Sequence, residues 1–321
     1  MSDIKLSGQT ALKAHTGMGL YVCPNDDEGL NSLYYTIEVN DAQGVAFLRR
    51  LLTVDVKNIH RGEVRQSFIL NALGLMTDFV WVAHLPDSDE HFRVVFQSLD
   101  TLAWMHQVAK AFDEDFTTLK TSTAILFADQ TNTPHGLMAD GKVQVMKTSK
   151  GEVLAMRVGA MTLLQGEEKA FENFTHPGME MLDELSAITL CYVSKSPLAF
   201  AWQANDLMPG DVNGAAYIDF SDPARMFIGR ALTEARLKAG EAKKAVVLSS
   251  HQDEAEAWFE NPSEVILLTE EGVPVAKSAF VGLLGDKLTC VAFVPQSIDS
   301  SRLILMNGGE EQAYRVEVLS Q

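Results

Sequence analysis

The alternation of apolar and polar positions gives this chain two textures. Up to about residue 240, short β-branched and aromatic runs alternate with segments of helical period. Residues 1–31 are polar and irregular, and CPNDDEGLN reads as an exposed loop. SLYYTIEV (32–39) reads as a strand. DAQGVAFLRRLLTVDV reads as a helix with Asp41 at its N-cap and Val45, Phe47, Leu48, Leu51 and Leu52 on one apolar stripe. EVRQSFILNALGLMTDFVWVAHL (63–85) reads as two strands about a turn at NALG, where Gly74 can take a positive φ. HFRVVFQ (91–97) is a third strand. SLDTLAWMHQVAKAF (98–112) is a helix capped by Ser98 or Asp100, with Leu102, Met105, Val108, Ala109 and Phe112 inward. TSTAILFADQ (121–130), GKVQVMK and EVLAMRVGAMTLLQ supply further strands, and GEEKAFENFTH (166–176) reads as a helix. This order predicts an α+β fold rather than a doubly wound one.

The texture then changes. MPGDVNGAAYIDFSDPARM (208–226) is punctuated by Pro, Gly and Asp and reads as a connection. FIGRALTEARLKAG reads as a helix stopped near Gly240. Beyond it, AVVLSS, EVILLTE, VPVAKSAFVGLL, KLTCVAFVP, SRLILMN and AYRVEVLS are short strands at regular spacing, the pattern of a small β-barrel or sandwich. The expected organisation is a region 1–240 followed by a C-terminal β-domain, 241–321.

Composition narrows the function classes. The 321 residues are 46% hydrophobic and 21% charged, with a net charge of −17, which repels nucleic acid and anionic membrane surfaces. Cys23, Cys191 and Cys290 are far apart and odd in number, so neither a disulfide framework nor a zinc ribbon is expected. MSDIKLSGQT has no apolar core of a signal peptide, and no apolar run is long enough to span a bilayer. A soluble cytoplasmic protein is expected. GxSxG, GxGxxG, Walker A and HExxH motifs are absent from the sequence, and no metal site is expected from His84 and His91, which flank a strand turn without a third ligand.

One position stands out. Asp78 sits in NALGLMTDFVWV beside Met76, Phe79, Val80, Trp81 and Val82. On a strand it shares a face with Met76, Val80 and Val82, while Thr77, Phe79 and Trp81 face the other way. Two readings stand for such a carboxylate: it lines a pocket, or it bonds backbone amides near the turn.

Four segments, FLRRLLTVDV, FILNALGLMTDFVWV, IDFSDPARMFIGRALTEARLKAG and AKSAFVGLLGDKLTCVAFVP, resemble the glycine cleavage T-protein family of folate-dependent enzymes, as a divergent member. That family includes aminomethyltransferases, demethylases and a folate-binding paralogue linked to iron–sulfur cluster maintenance. The resemblance implies ferredoxin-like units around a central folate channel, followed by a C-terminal barrel. It implies tetrahydrofolate as cofactor and Asp78 as the group that hydrogen-bonds the nitrogens carrying the one-carbon unit. Leu70, Asn71, Val80 and Ser98 fall beside that site, with Lys195 as a candidate cation. Here AMRVGAMTLLQGEEKAF replaces the glutamate motif of the catalytic members; Gly159 is kept and no carboxylate follows until Glu167. The resemblance therefore implies a one-carbon transferase acting on a small-molecule donor. The alternative is a non-catalytic folate-binding or regulatory protein, or a partner subunit of a one-carbon or oxidoreductase complex.

Overall fold

The structure is a computed structural model. It describes residues 18–23, 34–128, 139–159, 161–174, 180–181, 207–212, 214–240, 243–251, 265–284, 287–307, 313–315 and 317–320. The fold is α+β, and its strands pair almost entirely antiparallel. Two compact units are resolved: Ala14–Leu182 with Ala216–Leu232, and the described residues of Asp183–Ala215 and Thr233–Gln321.

The first unit holds two sheets. One has the order β3-β4-β5-β2-β6, from β2 (Tyr35–Val39), β3 (Val64–Leu70), β4 (Met76–His84), β5 (Phe92–Phe96) and β6 (Thr117–Leu119). Two helices, α1 (Ala42–Leu51) and α2 (Leu99–Phe112), cover one face of it. The stripe expected on α1 is real: Phe47, Leu48, Leu51 and Leu52 are fully buried against Ile37, Ile69, Val80, Val82 and Val94 of the sheet. Each such side chain contributes about 1.5–3 kcal/mol by leaving water. Asp41 caps α1, accepting from Gly44 N at 2.7 Å. Gly44 has no room for a larger side chain, because a Cβ there would lie 2.4 Å from Val39 Cβ.

The second sheet of this unit has the order β11-β1-β7-β10-β9-β8, from β1 (Met18–Val22), β7 (Ser122–Ala128), β8 (Val143–Thr148), β9 (Gly151–Val158), β10 (Met161–Gly166) and β11 (Glu180–Met181). Two expectations are corrected here. Met18–Val22, expected to be irregular, is a strand between β7 and β11; cross-strand pairing, not local propensity, makes it one. The segment expected as a helix at 166–176 forms a 3-10 helix, Glu168–Phe174, whose Phe171 and Phe174 are both buried at the three-residue repeat that suits that geometry.

Two polar contacts tie the sheets face to face. Gln165 Nε2 donates to Thr36 Oγ1 at 2.7 Å, and Arg93, paired with Glu38, reaches Gln165 Oε1 at 3.5 Å.

Residues 216–232 return to this unit as a strap. Arg225 is its fastening. The buried guanidinium donates to the carbonyls of Arg49 (3.1 Å), Thr53 (3.1 Å), Val54 (2.8 Å), Asp219 (3.2 Å) and Leu52. These include carbonyls at the C-terminus of α1, where a cation complements the helix dipole. Burial pulls the arginine below its usual pKa. Further along, Ile228 N bonds Arg50 O at 2.9 Å, and Gly229 lies against the hairpin turn.

α3 (Arg230–Ala239), whose residues from Thr233 on belong to the second unit, ends at Gly240, which has φ +71° as the sequence anticipates. Seven strands follow: β12 (Lys243–His251), β13 (Val265–Thr269), β14 (Pro274–Leu284), β15 (Lys287–Pro295), β16 (Leu303–Asn307), β17 (Ala313–Arg315) and β18 (Glu317–Ser320). They form one sheet in the order β17-β16-β13-β14-β15-β12-β18. Val246, Leu248, Val265, Leu267, Cys290, Ala292, Val294, Leu303 and Leu305 make its core. Burial pushes the Cys290 thiol up to about 12, so it is a packed hydrophobe rather than a nucleophile. Cys191 lies outside the described residues.

Gly229 gives a direct check on the strap. Its φ is +82°, and a Cβ there would lie 2.6 Å from Asn71 O and 2.9 Å from Gly74 Cα. Gly229→Ala is expected to cost about 1–3 kcal/mol through strain and lost contact. A urea titration should show a lower midpoint at unchanged slope.

Candidate functional site

The hairpin β3–β4 and the start of α2 meet at Asp78. The turn is built as the sequence suggests. Asn71 Oδ1 accepts from Leu73 N at 2.9 Å and Leu75 N at 3.1 Å, and Gly74 has φ +77°. Asn71 is thus a turn former, its side-chain oxygen satisfied by local amides. A bulge follows, because Ile69 pairs with Asp78 but Leu70 pairs with Met76. Thr77 is the extra residue, and its hydroxyl donates to Ile69 O at 3.0 Å.

The bulge leaves Asp78 on the helix-covered face, with Val80 and Val82. Its carboxylate is 7% exposed and surrounded by donors. Oδ1 accepts from Phe79 N at 2.8 Å. Oδ2 accepts from Gln97 N at 3.2 Å and Ser98 N at 3.1 Å, the amides that lead into α2. The Thr101 hydroxyl, one turn into the helix, donates to Thr77 O at 3.4 Å, beside the same carboxylate. Ser98 is the N-cap, and its Oγ accepts from Asp100 N at 3.1 Å. A carboxylate offers about four lone-pair directions, and three backbone amides occupy three of them. An anion placed there also complements the positive end of the α2 dipole. Burial nevertheless outweighs these bonds and raises the Asp78 pKa to about 6.

The remaining candidates divide as follows. Leu70 is fully buried at the end of β3, and Val80 is fully buried in the core under α1 and α2. The structure thus brings Leu70, Asn71, Asp78, Val80 and Ser98 together around one hairpin and one helix start. Lys195 lies outside the described residues. His84 stacks on Phe92 with ring centroids 4.2 Å apart, and its nitrogens face Ile59 O and Ser88 O. His91 stands between Asp87 and Glu38, each met by a different ring nitrogen.

The opposite face of the hairpin is aromatic. Phe68 and Phe79 are cross-strand partners with ring centroids 5.0 Å apart. Trp81 is 2% exposed, and its indole Nε1 is buried with no hydrogen-bond partner among the described residues. Tyr217 of the strap meets Phe68 and Phe79 edge-on, at 5.8 Å and 5.3 Å. Sequence reading missed three participants: Thr101, Arg225 and Tyr217. Thr101 had a local signal, a hydroxyl in the first turn after Ser98. The other two act from more than a hundred residues away, and no local pattern announces that.

With this geometry in place, comparison with solved structures decides the fold. Over 97% of its length the chain superposes on glycine cleavage system aminomethyltransferase T from Bartonella henselae, with a TM-score of 0.73 and 16% sequence identity, covering 88% of that protein. The chain has the aminomethyltransferase T fold. No family model matches the sequence, and no curated protein is similar to it at a significant level. The T fold persists here at an identity too low for sequence matching alone to show it.

Set on this fold, the residues present do not fit tetrahydrofolate at Asp78. Three backbone amides already bond the acid, its neighbours on that face are core residues under two helices, and the far face of the hairpin is packed with Phe68, Phe79 and Trp81.

The raised pKa has a definite sign. The folded state holds the Asp78 proton more tightly than the unfolded chain, where a carboxyl titrates near 3.8. Protonation between about pH 6 and pH 4 therefore favours the fold, and this contribution is lost as pH rises through 6. The shift corresponds to about 3 kcal/mol. Asp55, Glu63 and Asp87 have lowered pKa values and act in the opposite sense as pH falls. The difference between wild type and Asp78→Asn isolates the term. Urea unfolding at pH 4, 5, 6 and 7 should show wild type gaining on the variant as pH falls through this window.

Proposed function

We propose that the chain is a non-catalytic protein built on the aminomethyltransferase T fold, a folate-responsive sensor or partner subunit in one-carbon metabolism that does not hold its ligand through Asp78. The observation that carries this reading is that three backbone amides, Phe79 N, Gln97 N and Ser98 N, already bond the Asp78 carboxylate. Transfer chemistry on a folate amine requires a carboxylate free to bond it, and a group already bonded to the protein supplies position rather than chemistry. Reduced folate is proposed as the ligand class on the strength of the fold. The same reading takes the two sheets of the first unit as ferredoxin-like units around a central channel, and the seven-stranded sheet as the C-terminal barrel. It places the protein in the cytoplasm, away from nucleic acid and membranes. Among the described residues, no helix is long and apolar enough to cross a bilayer.

A second reading, transfer of an aminomethyl or methyl group to tetrahydrofolate, is favoured by one observation. Asp78 is buried with a pKa of about 6, which lets a carboxyl exchange a proton near neutral pH. In that reading Asp78 would hold the proton at its Oδ atoms, and α2 would have to yield one of its donors.

One pair of assays separates the readings. Titration with 5-formyltetrahydrofolate should raise the melting temperature, since a ligand at 100 times its Kd stabilises by about 2.7 kcal/mol. Turnover assays with aminomethyl and methyl donors should give no product. Turnover that Asp78→Asn abolishes, with binding kept, establishes the transferase instead. A melting temperature unmoved at millimolar ligand removes folate from both readings and leaves the partner subunit.

A further inference from the structure

The connection between β4 and β5, residues 85–91, is bracketed by two histidines that the Asp78 site does not use. His84, the last residue of β4, is 6% exposed and meets two carbonyls: Nδ1 lies 2.7 Å from Ile59 O and Nε2 lies 3.0 Å from Ser88 O. His91, just before β5, meets two carboxylates. Its Nδ1 lies 2.8 Å from both Asp87 oxygens. Its Nε2 lies 3.2 Å from Glu38 Oε1, an ion-pair contact without hydrogen-bond alignment. Leu85 N donates to His91 O at 2.9 Å and closes the base of the connection.

All of these ring contacts are to acceptors. A neutral imidazole has one N–H and one lone pair. Whichever tautomer each neutral ring takes, its other nitrogen sets a lone pair against an oxygen. For His84 that repulsive contact is buried away from water. The imidazolium form carries N–H on both nitrogens and suits every contact at once. His84 also stacks on Phe92 with centroids 4.2 Å apart, which favours a cationic ring. For His91 the anionic side is in place: burial opposes ionisation of Asp87, yet the bond from His91 holds its carboxyl below the usual range.

The surrounding charges are committed elsewhere. Asp89 pairs with Arg61 at 2.6 Å, Glu38 with Arg93 at 2.7 Å, and Glu63 with Lys142 at 3.1 Å. Lys57, His60 and Glu90 are exposed. Among the described residues no carboxylate pairs with His84, so backbone carbonyls alone receive its N–H groups.

We propose that residues 85–91 form a proton-gated clasp: with His84 and His91 protonated the connection is pinned to Ile59 and Glu38, and with both neutral it opens at Ser88. Loss of one proton leaves His84 a single N–H. The shorter, fully buried bond to Ile59 keeps it, and the part-exposed bond to Ser88 is surrendered. The clasp closes as pH falls and opens as pH rises. It stands independently of the folate reading.

The test compares the full chain at about pH 5.5 and about pH 8, on either side of the ordinary histidine range. Two-bond 1H–15N correlation reads the ring nitrogens, and hydrogen exchange reads the Leu85 amide, each rate divided by its intrinsic value at that pH. At the lower pH both nitrogens of His84 should carry hydrogen. At the higher pH Nδ1 should keep its hydrogen, Nε2 should lose it, and protection of Leu85 should fall roughly tenfold. His84→Gln, neutral at every pH, should lose most of this dependence, whereas His60→Gln, which removes the neighbouring exposed histidine, should keep it. A bare His84 nitrogen at the lower pH with Leu85 still protected overturns the clasp. So does protection that is equal at both pH values, or a pH dependence kept in His84→Gln and lost in His60→Gln. Should His84→Gln lose cooperative unfolding, the wild-type ring nitrogens and Leu85 exchange decide by themselves.

Discussion

A buried carboxylate cannot stay ionised in a protein interior without donors around it, and that constraint organises the first unit of this structure. Asp78 solves it by drawing the N-terminus of α2 onto the hairpin. The helix start presents amides that need an acceptor, the hairpin presents an anion that needs donors, and each meets the other's requirement. Once α2 is placed, its apolar face and that of α1 close over the sheet, and Val80 and Val82 become core. Removing the acid would therefore disturb the placement of a helix, not only a charge.

The same economy governs the strap. The carbonyls at the end of α1 are as much in need of partners as the amides at the start of α2. Arg225 meets several of them with one planar group. The two helices on this sheet are thus finished by side chains from elsewhere, one by an acid on the hairpin and one by a base on a returning segment. That return carries Tyr217 onto the second face of the hairpin, so both faces are covered by groups the hairpin does not supply.

For function, the consequence is a separation between scaffold and chemistry. An acid at a hairpin is compatible with a catalytic role and with a capping role, and residue type does not distinguish them. The number of donors already bonded to it does. Here they come from the protein, which is why the proposed function assigns Asp78 to the scaffold.

Much of this was legible in the sequence because it is local. Helical spacing placed the buried stripe of α1, Asp41 and Ser98 announced their caps, and Gly74 and Gly240 marked turns by the φ that only glycine takes easily. Period-two alternation put Asp78 and Val80 on one face of β4 and Phe79 and Trp81 on the other. What the chain could not declare was what each face meets. That the Asp78 side meets a helix start, that Met18–Val22 finds strands on both sides, and that Arg225 and Tyr217 return to the hairpin were settled only by tertiary structure. A local pattern fixes which way a side chain points, whereas its partner lies at a sequence separation that carries no periodic signal.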